Sequence, residues 1–174
     1  MCAALAALLL CSLTACGKTE EPARQDIFAM DTYMSLVAYG EDGQEALAAA
    51  AREINRLEQE LSRTVSTSYI YKLNENGSAA VSEETANLLK NALDYSAATG
   101  GLFDMTVAPL VSLWGITTDS PRVPSRSEID ALLPLVGSGH VHLDGQTVTL
   151  DAGCAVDLGG IAKGYASDRV AQVL

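Results

Sequence analysis

The sequence predicts an α+β domain in which helices flank a mostly antiparallel sheet. Three observations carry that expectation. Two long segments repeat apolar residues every three or four positions, two alternating runs near the end are joined through Asp144-Gly145, and "IFAMDTYMSLVAYG" near the start reads as extended chain. With 174 residues, 48% hydrophobic and 19% charged, the chain is long and apolar enough for one folded domain with a real core. Its formal net charge of −11 repels phosphate backbones and excludes nucleic acid as a natural partner. Any bound polyanion needs local help from a cation, a metal or backbone N–H groups.

The elements follow in order. "IFAMDTYMSLVAYG" is expected to form one strand or two short ones ending at Gly40, with Met30, Asp31 and Thr32 inside the strand. From Glu41 to Leu61, Leu47, Ala51, Ile54, Leu57 and Leu61 share one helical face. "SRTVSTS" breaks that helix, and "YIYKLN" makes a turn or short helix before a loop at Asn76-Gly77. A second helix is expected from Glu83 to Ala98, capped by Ser82, with Ala86, Leu89, Leu93 and Ala97 as its stripe and Gly100-Gly101 as its stop. "LFDMTVAPLVSLWG" is apolar with Pro109 inside, and "TTDSPRVPS" is a loop. Ser125 and Glu128 have capping-box spacing for a helix over "EIDALLPLV", which Pro134 ends or kinks. "HVHLDGQTVTLD" is a β-hairpin, and "YASDRVAQVL" is a final helix. The chain stops on Val173-Leu174 in mid-helix, so it reads as incomplete at its C-terminus.

The first sixteen residues, "MCAALAALLLCSLTAC", carry no charge. They read as the apolar part of a secretion signal and are shorter than the roughly 20 residues a membrane span needs. "LTAC" before Gly17 resembles a bacterial lipobox, which makes Cys16 the lipidated first residue of the mature protein and residues 17–25 a tether. The protein is then expected on the extracytoplasmic face of a bacterial cell membrane, anchored by lipid. The first basic residue is Lys18, where a signal ordinarily begins with Lys or Arg. Cys154 is the only cysteine outside this segment, so no disulfide framework exists, and its apolar surroundings predict a buried, inert thiol.

Several familiar sites are absent. The lysine of "GGIAKG" precedes its glycine and no Ser or Thr follows, so there is no phosphate-binding G-x-x-x-x-G-K-[ST]. No zinc-type Cys/His pattern and no G-x-S-x-G elbow occurs. His140 and His142 alternate on one face of a strand but have no evident third ligand, which favours a structural role. What remains is "AMDTYMS", "GGLFDMTVAPLVSLWG" and "VDLGGIAKGYASD". Singly, each has an ordinary reading: Met30, Phe103 and Trp114 as core filling, Asp104 as a turn or helix cap, and Gly159-Gly160 as a turn that needs backbone freedom.

Together, in this order and spacing, the three strings resemble the ApbE family of FAD:protein FMN transferases over about residues 25–174. The resemblance implies an ApbE-like (T-fold-like) domain, with residues 26–174 as its N-terminal portion. It implies Mg²⁺-dependent cleavage of FAD, release of AMP, and attachment of FMN to a Thr or Ser hydroxyl of an exported flavoprotein. By the same resemblance Met30, Leu102, Phe103, Asp104, Asp157 and Lys163 contact FAD, and the main-chain carbonyl of Gly160 helps hold Mg²⁺. A glycine leaves that oxygen unobstructed, and a hard cation takes oxygen ligands. Charge adds that Lys163 suits phosphate and that Asp157 suits a ribose or adenine donor. The chain departs from the family at Thr64, where many relatives carry an aromatic residue. The remaining metal ligands and the catalytic groups are expected beyond residue 174, so these 174 residues alone are expected to have little or no transferase activity. The alternative is an exported lipoprotein that binds FAD or another nucleotide without chemistry, with a surface scaffold a more distant third.

Overall fold

The computed structural model describes residues 21–116 and 118–174; Cys16, the signal-like segment and residues 17–20 lie outside them. The chain enters as strand β1 (Ala23–Ala29), turns at Met30-Asp31 and returns as β2 (Thr32–Ala38) in an antiparallel pair. Strand β1 thus takes up Ala23, Arg24 and Gln25, which the sequence assigned to the tether. Met30 and Asp31 form the turn rather than sitting inside a strand, because Ala29 already pairs with Thr32.

Helix α1 (Gly43–Leu61) lies across this hairpin. Gly43 is buried at the contact, where a Cβ would stand 3.1 Å from the Ala23 Cβ. The predicted apolar face is the one buried, with Leu47, Ala51, Ile54, Leu57 and Leu61 all turned inward. Helix α2 (Tyr69–Asn76) starts under a Ser68 cap that accepts from the Tyr71 N–H, and left-handed Gly77 ends it. Strand β3 (Ser78–Ala80) leads into helix α3 (Glu83–Ala98), whose Ser82 cap accepts from the Thr85 N–H. The buried stripe of α3 runs through Leu88, Ala92 and Ser96 as well as Ala86 and Leu89, while Ala97 faces solvent. The sequence favoured Ala97 because spacing alone cannot choose between two adjacent rows.

A 3₁₀ turn (Met105–Val107) precedes helix α4 (Ala108–Trp114), where Pro109 sits in the first turn and costs no hydrogen bond. Helix α5 (Arg126–Leu132) carries the complete Ser125/Glu128 capping box. It is shorter than "EIDALLPLV" suggested, since Pro134 opens a separate 3₁₀ turn over Leu133–Leu135. Strands β4 (Val141–Asp144) and β5 (Thr147–Leu150) form the expected hairpin, and β5 also pairs with β3, giving the antiparallel order β3-β5-β4. His140 ends a 3₁₀ turn before β4, so the two histidines do not share a strand. They converge instead on Asp151, whose two oxygens stand 2.9 Å from His140 Nδ1 and 2.9 Å from His142 Nε2. Extended chain then reaches helix α6 (Ala162–Val173), which begins three residues before Tyr165 and packs on α1.

The core joins all these layers through Leu57, Ile70, Leu73, Leu89, Val148 and Val156, with Cys154 buried beside them. Every strand pairing among the described residues is antiparallel, as the sequence predicted. No helix among the described residues is long and apolar enough to cross a membrane.

Candidate functional site: a cleft beside the glycine pair

The segment before the glycine pair is held without belonging to a sheet. The Asn74 side chain imitates a strand partner: its Nδ2 donates to Val156 O (2.9 Å) and its Oδ1 accepts from Val156 N (2.8 Å). One residue on, Asp157 N donates to Met105 O at 2.7 Å. These bonds fix where the Asp157 carboxylate points. Arg63 Nε meets Asp157 Oδ2 at 2.8 Å, and Oδ1 accepts from Gly159 N at 2.7 Å. Both charged side chains are mostly buried, at 16% and 18% exposure, so the pair is a fixed feature rather than a solvated surface contact.

The glycine pair serves close approach. Neither Gly159 nor Gly160 has a positive φ. A Cβ on Gly159 would stand 3.0 Å from Asp157 Oδ1, and one on Gly160 would stand 3.1 Å from Phe103 Cε2. Positive-φ freedom is therefore not what these glycines supply: a side chain at either position would crowd its neighbour, which would have to give by a few tenths of an ångström.

Two clefts flank the pair. The first, about 200 Å³, is lined by Met30, Glu58, Arg63, Asp157, Gly159 and Lys163, among others. The second, about 450 Å³, is lined by Tyr95, Phe103, Gly160, Tyr165 and Asp168, among others. Met30, Asp157 and Lys163 thus converge in one cleft, while Phe103 and Gly160 face the other. Lys163, in the first turn of α6, makes no ion pair among the described residues. Phe103 leans edge-on against Tyr95, with centroids 6.5 Å apart. Leu102 is exposed and lines neither cleft. Asp104 is occupied locally: its Oδ1 accepts from Thr106 N (2.8 Å) and Thr106 Oγ1 (2.6 Å), capping the 3₁₀ turn. Thr64 is exposed beyond the end of α1.

Behind the clefts an ion network fixes α6 to α1 and α3. Arg56 bridges Glu53 (2.7 Å), Glu60 (2.8 Å) and Glu84 (2.9 Å), and Arg169 reaches Glu84 at 3.2 Å. Arg56 hydrogen bonds hold the Glu53 carboxyl below the usual carboxylate range. Tyr165 donates its hydroxyl to Glu84 at 2.7 Å, and burial first, then that carboxylate, pushes it up to about 12.

No three His, Cys, Asp or Glu side chains cluster as metal ligands among the described residues. Of the ligands that the resemblance implies for magnesium, the Gly160 carbonyl is the one that falls among these residues. Sequence reasoning missed Glu58, Arg63 and Asn74. Each meets its partner across a long stretch of chain, and only the adjacency of Arg63 to Thr64 in the departing segment hinted at it.

This architecture is that of solved flavin-transferase structures. An ApbE protein from Thermotoga maritima superposes with a TM-score of 0.82 at 35% identity, covering 88% of this chain and 52% of its own. The flavin transferase ApbE of Vibrio cholerae gives 0.76 at 28%, covering 87% and 52%. The ApbE family model matches residues 30–174, and the chain belongs to that family. Among curated relatives, an FAD:protein FMN transferase of Vibrio cholerae serotype O1 is 33% identical over 181 residues, covering 98% of this chain and 54% of the relative. One from Salmonella typhimurium is 30% identical, covering 100% and 54%. The chain therefore spans about half the length of the curated relatives it matches.

Proposed function

We propose that the chain provides one wall of an FAD site in an FAD:protein FMN transferase. The observation that carries this reading is the convergence beside the glycine pair of Met30, Asp157 and Lys163, which makes no ion pair among the described residues, in a protein of formal net charge −11. An unneutralised lysine in so acidic a molecule invites an anionic ligand. A 200 Å³ cleft is small for a whole cofactor, whose sites run from about 300 to 1,000 Å³, so the dinucleotide spans the glycine pair into the second cleft.

In this reading Lys163 meets a phosphate and Asp157, pinned by Arg63, accepts from a ribose or adenine donor. Phe103 offers an aromatic wall, and the Leu102–Asp104 backbone passes beside the nucleotide. The hydroxyl oxygen of a Thr or Ser on an exported flavoprotein bonds to the FMN phosphorus. The pyrophosphate P–O bond breaks, AMP leaves with the bridging oxygen, and the hydroxyl proton passes to a base. Magnesium, when bound, would offset phosphate charge, and the Gly160 carbonyl would be one of its ligands. A lipid on Cys16 would hold the enzyme at the extracytoplasmic membrane face, where such an acceptor is found.

Fluorescence titration of FAD with the 174-residue chain tests the site. Asp157→Ala and Lys163→Ala are each expected to weaken binding about tenfold, the scale of one charge-assisted hydrogen bond. Equal affinity in all three proteins would overturn the assignment. Robust FMN transfer to a threonine peptide by these 174 residues alone would show that the metal and catalytic groups have been assigned to the wrong part of the protein.

A further inference from the structure

We infer that Glu58 is a positioning residue, whose carboxylate holds the Met30-Asp31 turn in the left-handed conformation that forms one wall of the first cleft. Its functional part rests on the reading of that cleft as the flavin-nucleotide site.

The turn is unusual in its residues. Met30 and Asp31 both have φ of 53°, and they are the only non-glycine residues with positive φ among those described. Aspartate tolerates that region, but methionine pays a steric cost for it. A two-residue hairpin loop with both central residues left-handed fits the twist of its strands, which is why such loops favour Asn-Gly. Here the sequence supplies Met-Asp. A glycine at position 30 would relieve the backbone and bring no side chain to the cleft.

The compensation is visible. The Met30 N–H faces away from the strand pairing and donates to Glu58 Oε1 at 2.8 Å. Its carbonyl accepts from Thr32 Oγ1 at 3.3 Å. The Met30 side chain packs against the core, so the residue is held on three sides. Glu58 stands on α1 one turn before Leu61 and itself lines the cleft. A helix anchored in the core by its apolar face therefore sets the position of a surface turn. Without an acceptor at position 58, the half-buried Met30 N–H loses its partner, and the strained turn loses one of its three restraints.

The test combines amide exchange with FAD titration. Glu58→Ala is expected to speed hydrogen exchange at the Met30 amide tenfold or more and to weaken FAD binding about tenfold. Glu58→Gln keeps an acceptor oxygen and is expected to stay within about twofold on both. Asp31→Gly removes the strain at one of the two turn positions and leaves Met30 in place, so Glu58→Ala/Asp31→Gly should recover part of the FAD affinity lost in Glu58→Ala. Unchanged Met30 exchange in Glu58→Ala overturns the inference whatever FAD does. So does a double variant as weak as Glu58→Ala with Glu58→Gln equally weak, which would mean that Glu58 touches the ligand. Absent FAD binding in the unaltered chain would count against the cleft reading, and the exchange result would still decide whether Glu58 holds the turn.

Discussion

The two hairpins solve the same geometric problem with different materials. The β4–β5 turn starts on Gly145, at φ 58°, with open space around it. The β1–β2 turn reaches nearly the same φ with methionine and aspartate, and it leans on Glu58, Thr32 and the core to stay there. One turn is made easy by its own residues, with open space at Gly145 and the Gln146 carbonyl accepting from Val81 N at 2.9 Å. The other is made possible by residues elsewhere, and it borders the cleft. Strain is kept where a side chain has to be delivered, and avoided where the chain only has to reverse.

Substitutions can sharpen or break that contrast. The largest effect belongs to the packing beneath the relaxed hairpin. Leu150→Ala should lower the unfolding free energy by about 3 kcal/mol in urea denaturation, since Leu150 is buried in β5. At the relaxed turn itself, Gly145→Ala should cost about 1 kcal/mol from backbone strain alone, because an added Cβ meets nothing within 4 Å. Asp31→Gly should move stability the other way, by about 0.5 kcal/mol, since it removes strain. If both glycine exchanges shift the denaturation midpoint in the same direction, the contrast fails.

A smaller effect is pH-dependent. Hydrogen bonds from His140, then from His142, hold the Asp151 carboxyl below its usual range, and Asp151 N closes the base of the β4–β5 hairpin onto His140 O at 3.0 Å. A depressed folded value means that this contribution is complete above the ordinary carboxylate pKa of about 3.9 and is lost as pH falls through the folded value. Asp151→Asn should therefore lower stability at neutral pH and flatten the acid limb of a stability–pH profile. An unchanged acid limb would remove Asp151 from the account.

Much of the fold was legible because its signals are local. Ser82, Ser125 with Glu128, and Asp144-Gly145 each announce a boundary within four residues, and each is found where expected. The grouping of Met30, Asp157 and Lys163 was legible only through family resemblance, since nothing local says that a β1–β2 turn meets the start of α6. What stayed hidden is what binds across the fold: Glu58 under Met30, Arg63 on Asp157, Asn74 beside Val156. The glycine pair was visible, but its close approach to the Asp157 and Phe103 side chains was not, and neither glycine has a positive φ.

The most direct test is hydrogen–deuterium exchange of the chain with and without FAD, read by peptide. Protection should appear in segments containing Met30-Asp31 and residues 157–163, while the Gly145-Gln146 turn stays unchanged. Protection of the β4–β5 turn, with none at Met30-Asp31 or residues 157–163, would contradict the account.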